Sequence, residues 1–249
     1  MKRSIEDILS FREDISPFLV HLTRTSQAKG ASARQNLHEI IKLQQLEQRG
    51  ALVSDVRFAI YTLNMKEEEK RRFFSAICFT ETPLNEFHCL LDIDSRKVDL
   101  EPYGLVFLKD AMAARGVNPI FYVNNHPADK DPLMAALGGL ITTAPEIAEK
   151  LLPLMSVFGR KLQPPGAKAP AEGSVDFRWE REWRFPACYG HLPFKPEEVF
   201  VGLCPIDEIE EFENAFPGVL FIDPTRNMKW FASKLVDVRK KHNLKVSVV

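Results

Sequence analysis

Phe177-Arg178-Trp179-Glu180-Arg181-Glu182-Trp183-Arg184-Phe185 is the stretch on which the reading of this chain turns. Taken with the two-residue period of a β-strand, Phe177, Trp179, Trp183 and Phe185 fall on one side, with Arg181 among them. Arg178, Glu180, Glu182 and Arg184 fall on the other. A large aromatic face has to be packed, so the pattern predicts a strand with a sheet to join. Its opposite face then carries two carboxylates and two guanidiniums, about 6–7 Å between same-face neighbours. Such a row is either a structural ion-pair ladder or a catalytic wall. Paired charges at surfaces are common and worth little each, which favours the ladder.

Working outward, Gln163 to Ser174 is rich in Pro, Ala and Gly and cannot build a packed core. It reads as a mobile loop at about 163–174 within a single domain spanning 1–249, because the strand after it needs a sheet. Alternating or apolar runs predict strands over Phe18 to Arg24, Ala76 to Thr80, Tyr103 to Leu108, Pro119 to Asn124, Val199 to Leu203 and Val219 to Ile222. Leu244 to Val249 would add an edge strand. Helical spacing of Leu37, Ile40, Ile41 and Leu46 predicts a helix from Ala33 to Gln48, stopped by Gly50. Lys66 to Arg72 reads as a solvated helical face. Asp131 to Leu154 is helical with a break at Gly138-Gly139. Ile206 to Phe216 and a Lys/Arg-rich segment ending near His242 complete the helices. Several strands follow one another without a helix between them. The class is therefore α+β with a mixed β-sheet and flanking helices, not a doubly wound parallel sheet.

The 249 residues are 45% apolar, enough for a substantial core. The 33 basic and 34 acidic side chains are well mixed and leave a formal charge of -1. That balance excludes a global field for gripping nucleic acid and leaves room only for a local basic site. The apolar runs are too short and too broken by charge for a transmembrane helix. The opening Met-Lys-Arg-Ser-Ile-Glu-Asp is unlike a secretory signal. Cys78, Cys89, Cys188 and Cys204 occur singly, with no Cys-x-x-Cys pair. The expectation is a cytoplasmic protein with reduced, mostly buried thiols and no zinc.

Candidate chemistry begins at His21, on the strand face carrying Leu19 and Thr23. Its imidazole suits a bound ligand, or equally a core position satisfied by a backbone carbonyl. None of the six histidines has a metal-ligand spacing. In Phe79-Thr80-Glu81-Thr82-Pro83-Leu84, Thr82 fits a helix cap with Pro83 at the first helical position. That leaves Thr80 and Glu81 without a role. Tyr103-Gly104 opens a strand and lines either a groove or a rim. Glycine-rich phosphate loops, nucleophile elbows and kinase motifs are absent, which weighs against dehydrogenases, nucleotide-triphosphate hydrolases and serine hydrolases. Glu180, Glu182 and Asp176 would make a carboxylate-only magnesium site for a metal-dependent nuclease, but the flanking arginines are poor neighbours for a divalent cation.

In the order Val20-His21-Leu22-Thr23, Cys78 to Leu84, Tyr103 to Phe107 and Glu180 to Arg184, the chain resembles the AbiGi-type abortive phage resistance proteins and a related domain of unknown function. More distantly it is similar to ADP-ribosyltransferases, including the DarT-like enzymes that modify DNA. That likeness implies a split, curved sheet and NAD as substrate, with no metal. It implies that His21, with Thr23 beside it, holds the nicotinamide-side ribose or amide. Tyr103, or Thr80, would line the nicotinamide pocket. Glu182 would be the catalytic carboxylate, with Glu180-x-Glu182 matching the paired-glutamate motif, and Arg184 and Arg178 would hold the pyrophosphate. A carboxylate so placed stabilises an oxocarbenium-like ribose after nicotinamide leaves. No Ser-Thr-Ser motif is present. The implied acceptor is nucleic acid or a protein such as a translation component. The alternative is a non-enzymatic antitoxin or phage-sensing module, with a partner from a neighbouring gene and the charged row as a ladder.

Overall fold

The computed structural model describes residues 15–25, 30–46, 65–91, 100–124, 132–158, 178 and 181–244. The segment 163–174, read above as a mobile loop, lies outside them, as do Asp176 and Glu180. The strands used below are β1 (Phe18–Leu22), β2 (Ala76–Thr80), β3 (Gly104–Leu108), β4 (Asn118–Pro119), β5 (Phe121–Asn124), β6 (Met155–Phe158), β7 (Glu182–Pro186), β8 (Val199–Leu203) and β9 (Phe221–Ile222). The helices are α1 (Ala33–Leu43), α2 (Glu67–Phe74), α3 (His88–Leu91), α4 (Lys109–Ala113), α5 (Pro132–Thr143), α6 (Pro145–Leu151), α7 (Ile209–Ala215) and α8 (Ala232–Lys241). The protein is α+β, with a mixed sheet and flanking helices. It divides into two compact units interleaved along the chain, residues 1–45, 79–115 and 193–249, and residues 46–78 and 116–192.

In the first unit the strand order is β9–β8–β3–β1, followed by the end of β2. β3 pairs antiparallel with β1, from Phe18↔Leu108 to Leu22↔Gly104, and antiparallel with β8 on its other side. A strand enclosed on both edges and both faces has to be apolar throughout, and Gly104 to Phe107 are all buried. Phe18, Val20, Val106, Val201 and Leu203 form one core with Phe231 and with Val238 of α8. Leu19, Leu105, Phe107 and Phe79 are buried on the opposite side. Gly104 is required by close pairing: a Cβ there would lie 2.5 Å from the His21 carbonyl oxygen. At Gly202 a Cβ would lie 2.2 Å from the Phe221 ring.

β9 runs parallel to β8 at the margin of this sheet. Its outward backbone groups are already satisfied. The Phe221 N–H donates to Glu213 Oε1 at 2.8 Å, and Lys234 Nζ donates to the Phe221 carbonyl at 2.9 Å. Lys234 also donates to Glu213 at 2.6 Å, so α7 and α8 close the edge between them.

In the second unit β7 lies between β4 and the first half of β2. It pairs antiparallel with β4 through Asn118↔Arg184 and Pro119↔Trp183. β5 and β6 form a separate parallel pair, Phe121↔Met155 to Asn124↔Phe158. Phe73 and Phe74 of α2, Leu137 of α5, Ala148 of α6, Leu152 and Met155 make the core.

Several boundaries differ from the sequence reading, among them those of α1, α5 and β7. α1 starts at a Ser32/Gln35 capping box and ends at Leu43. Gln44 turns left-handed (φ 51°) and donates its N–H to Ile40 and Ile41. α5 passes through Gly138 and Gly139 and ends at Thr143, with Pro145 opening α6. Packing of residues such as Leu137 outweighs the roughly 1 kcal/mol propensity cost of a helical glycine. Among the described residues of the aromatic stretch the strand begins at Glu182, next to Arg181, whose φ of 46° is not extended backbone.

Candidate functional site

β7 places Glu182 and Arg184 two residues apart, on one face of the strand. Arg184 Nε donates to Glu182 Oε1 at 2.9 Å and Nη2 donates to Oε2 at 2.7 Å. This is the two-pronged guanidinium–carboxylate geometry, the strongest form of such a pair. Arg184 Nη1 donates to the carbonyls of Pro153 at 2.8 Å and Met155 at 3.1 Å. The Glu182 N–H donates to the Tyr122 hydroxyl at 3.0 Å, and its carbonyl accepts from the Ile120 N–H at 3.1 Å. The Arg184 side chain is 4% exposed and that of Glu182 is 13%. Burial, the largest single influence, pushes the Arg184 guanidinium down, but the charge and hydrogen bond of Glu182, together with Cys78 and Tyr122, outweigh it, so its pKa ends above the ordinary arginine value. The sequence leaves an ion-pair ladder or a catalytic wall open here, with the ladder favoured by the commonness of surface pairs. The structure buries Arg184 and commits both Glu182 oxygens to it. Arg178 is exposed.

In the first unit, β1 and β3 bring His21, Thr23 and Tyr103 together. His21 pairs with Leu105, and the Thr23 N–H donates to the Tyr103 carbonyl at 2.8 Å. Directly opposed residues share a face, so Leu19, His21, Thr23, Tyr103 and Leu105 lie on one side. His21 is half-buried, its ring centroid 5.6 Å from that of Phe79. Thr23 is buried, and its hydroxyl donates to the Ala33 carbonyl at 2.8 Å, fastening the start of α1. The Tyr103 hydroxyl donates to Glu208 at 2.9 Å; burial, then this carboxylate, raises the phenol pKa. Glu208 also accepts from Arg34 Nε at 3.0 Å, and Arg34 reaches on to Glu211.

Thr80 does not join that group. It pairs with Val20, which puts its side chain on the opposite face from His21. Its hydroxyl lies 2.8 Å from that of Thr82. Thr82 is not a helix cap, because the 3-10 turn after it begins at Leu84 and has no side-chain cap bond. Glu81, unexplained in the sequence, accepts from Lys109 Nζ at 3.0 Å in a largely buried pair. Arg34, Glu208 and Lys109 were not singled out from the sequence. Arg34 and Glu208 stand 174 positions apart, so no spacing joins them.

Cys204 is buried and Cys78 half-buried, whereas Cys89 and Cys188 are exposed, so the expectation of mostly buried thiols holds for only one of the four. Burial first, then Glu208, pushes the Cys204 thiol up to about 12. Among the described residues no group of three or more His, Cys, Asp or Glu is arranged to hold a metal ion. No helix among them is long and apolar enough to cross a membrane. Set against protein-family models, curated proteins and solved structures, the chain matches none of them.

Proposed function

We propose that this chain is a non-enzymatic binding module of bacterial phage defence, an antitoxin or a phage-sensing partner, in which Glu182 and Arg184 form an internal clamp. The observation that carries this reading is the occupancy of Glu182: both its oxygens take an arginine fork that also satisfies two backbone carbonyls. A carboxylate held in this way has one acceptor site on each oxygen taken up by the guanidinium, and freeing it would leave a buried cation uncompensated. The four stretches carrying the family resemblance fall on or beside β1, β2, β3 and β7, the frame of the fold. The link to phage defence rests on that resemblance alone.

A second reading, NAD-dependent ADP-ribosyl transfer on a split, curved sheet, is favoured by the shared face of His21, Thr23 and Tyr103. In it, Thr23 and Tyr103 would exchange Ala33 and Glu208 for ligand atoms, and Glu182 would have to part from Arg184. The two readings separate when wild-type protein and Glu182→Gln are incubated with labelled NAD and cell or phage extract, alongside thermal melts. The binding-module reading expects no label transfer from either protein and a lowered melting temperature for the variant. Transfer by the wild type that disappears in a folded Glu182→Gln overturns it in favour of the second. Co-purification with the product of a neighbouring gene, retained when labelled NAD is in excess, adds to the first.

A further inference from the structure

Trp230 is 70% exposed, the most exposed large apolar side chain among the described residues. It is not a loop-tip accident. The 3-10 turn Met228–Phe231 that carries it is capped by the Asn227 side chain, which accepts the Lys229 N–H at 2.9 Å. Next to it, Phe231 is buried in the core, so the turn is anchored while the indole points outward. The Arg226 guanidinium sits 5.8 Å from the indole ring centroid. Asp223 holds the preceding turn by accepting from the Thr225 N–H and hydroxyl at 2.8 and 2.7 Å.

The charge around this indole is unlike that of the chain as a whole. From 226 to 241 there are six basic residues (Arg226, Lys229, Lys234, Arg239, Lys240, Lys241) and one acidic residue, Asp237, a local excess of 6 − 1 = 5 in a protein of formal charge -1. Lys234 is committed to Glu213, whereas Arg226, Lys229, Lys240 and Lys241 are exposed and their contacts are surface ones: Arg226 lies 3.9 Å from Asp223, Lys240 lies 3.6 Å from Asp237, and Lys241 donates to the Gly218 carbonyl at 3.0 Å. Exposed positions on α8 recur at Ser233, Val236–Asp237 and Lys240–Lys241, opposite buried Val238. This exposed face of α8 runs roughly 12 Å from Ser233 to the terminal lysines, and the turn that carries Trp230 leads directly into its N-terminal end.

We propose that this face binds single-stranded nucleic acid, with a base stacking on Trp230 beside Arg226 and the phosphates tracking along Lys229, Lys240 and Lys241. An exposed aromatic platform inside a cationic track is the arrangement that single strands need. A lipid surface fits less well, because the face between its two ends carries Ser233 and Asp237 where an inserting helix would need continuous apolar side chains. The proposal uses none of the groups of the Glu182 clamp or of the His21 face, so it stands or falls separately from the function proposed above.

The test is fluorescence anisotropy of the full chain with labelled oligo-dT and oligo-U at about 50 and 200 mM salt. Binding is expected to weaken steeply with salt. Trp230→Ala should cost about tenfold in affinity, and the double variant Lys229→Glu/Lys240→Glu should lower affinity and flatten the salt slope. Trp230→Ala should melt as the wild type does, and the double variant only slightly lower, because Lys240 is exposed but pairs with Asp237 in the last turn of α8. The proposal is overturned by no binding at about 100 μM protein in low salt. Affinity indifferent to Trp230→Ala overturns it too, as does capture by phosphatidylserine vesicles in place of either oligonucleotide.

Discussion

Two of the glutamate–arginine sites in this protein use the same chemistry to opposite effect. At Glu182–Arg184 the partners stand two residues apart on one strand, buried, with the guanidinium fork also closing two backbone carbonyls. At Glu208–Arg34 they come from distant parts of the sequence, and the side chains are 23% and 37% exposed. A third group, Tyr103, shares the carboxylate. Water competes for every group in the second site and for almost none in the first. The contrast teaches that burial, not residue identity, decides whether such a pair is structural. A buried pair is costly to break even where it adds little over an apolar replacement, whereas an exposed pair is worth little either way.

The largest effect should come from Arg184→Met, which leaves the Glu182 carboxylate buried and the Pro153 and Met155 carbonyls without a donor. Urea denaturation should show a loss of about 3–5 kcal/mol, with much of it recovered in Glu182→Leu/Arg184→Met. A loss below about 1 kcal/mol, the scale of an exposed pair, would erase the contrast between the two sites. Tyr103→Phe, which deletes only a half-buried hydrogen bond, should cost about 0.5–1.5 kcal/mol by the same assay.

A pH series sharpens the comparison from the side of Glu208. Cys204 holds its proton up to about 12 in the folded chain, against about 8.5 for an ordinary cysteine. Between those values the folded state binds a proton that the unfolded state has lost. The stability is therefore complete below about pH 8.5 and declines as pH rises toward about 12. Cys204→Ala should flatten that decline in denaturation curves; an unchanged slope would place its origin elsewhere. Smallest of all is Arg34→Ala, expected to shift stability by about 0–1 kcal/mol and to shift it less as salt is raised.

The strands that read clearly in the sequence are those whose apolar runs leave no choice of face. β3 and β8 are enclosed on both sides and are apolar throughout. The aromatic stretch was harder, because alternation shows that two faces differ but not which one is buried. Arg184 is inside because carbonyls 31 and 29 positions upstream receive it, and nothing local announces them. The pairing of Thr80 with Val20 likewise fixes a side of the sheet that periodicity within β2 alone leaves open. His21, Thr23 and Tyr103 were legible as candidates, and the β1–β3 register is what unites them. The limit of α1 escaped the reading because a glutamine, not the glycine further on, takes the left-handed turn.

The Glu213–Lys234 bridge over β9 has a consequence for how copies of this protein behave when crowded together. It fills the hydrogen-bonding sites through which a stranger's extended segment would otherwise register. Stripping those two side chains back to alanine would cost modest folding energy yet expose an adhesive rim, so the change should surface as self-association on concentration long before it surfaces as unfolding.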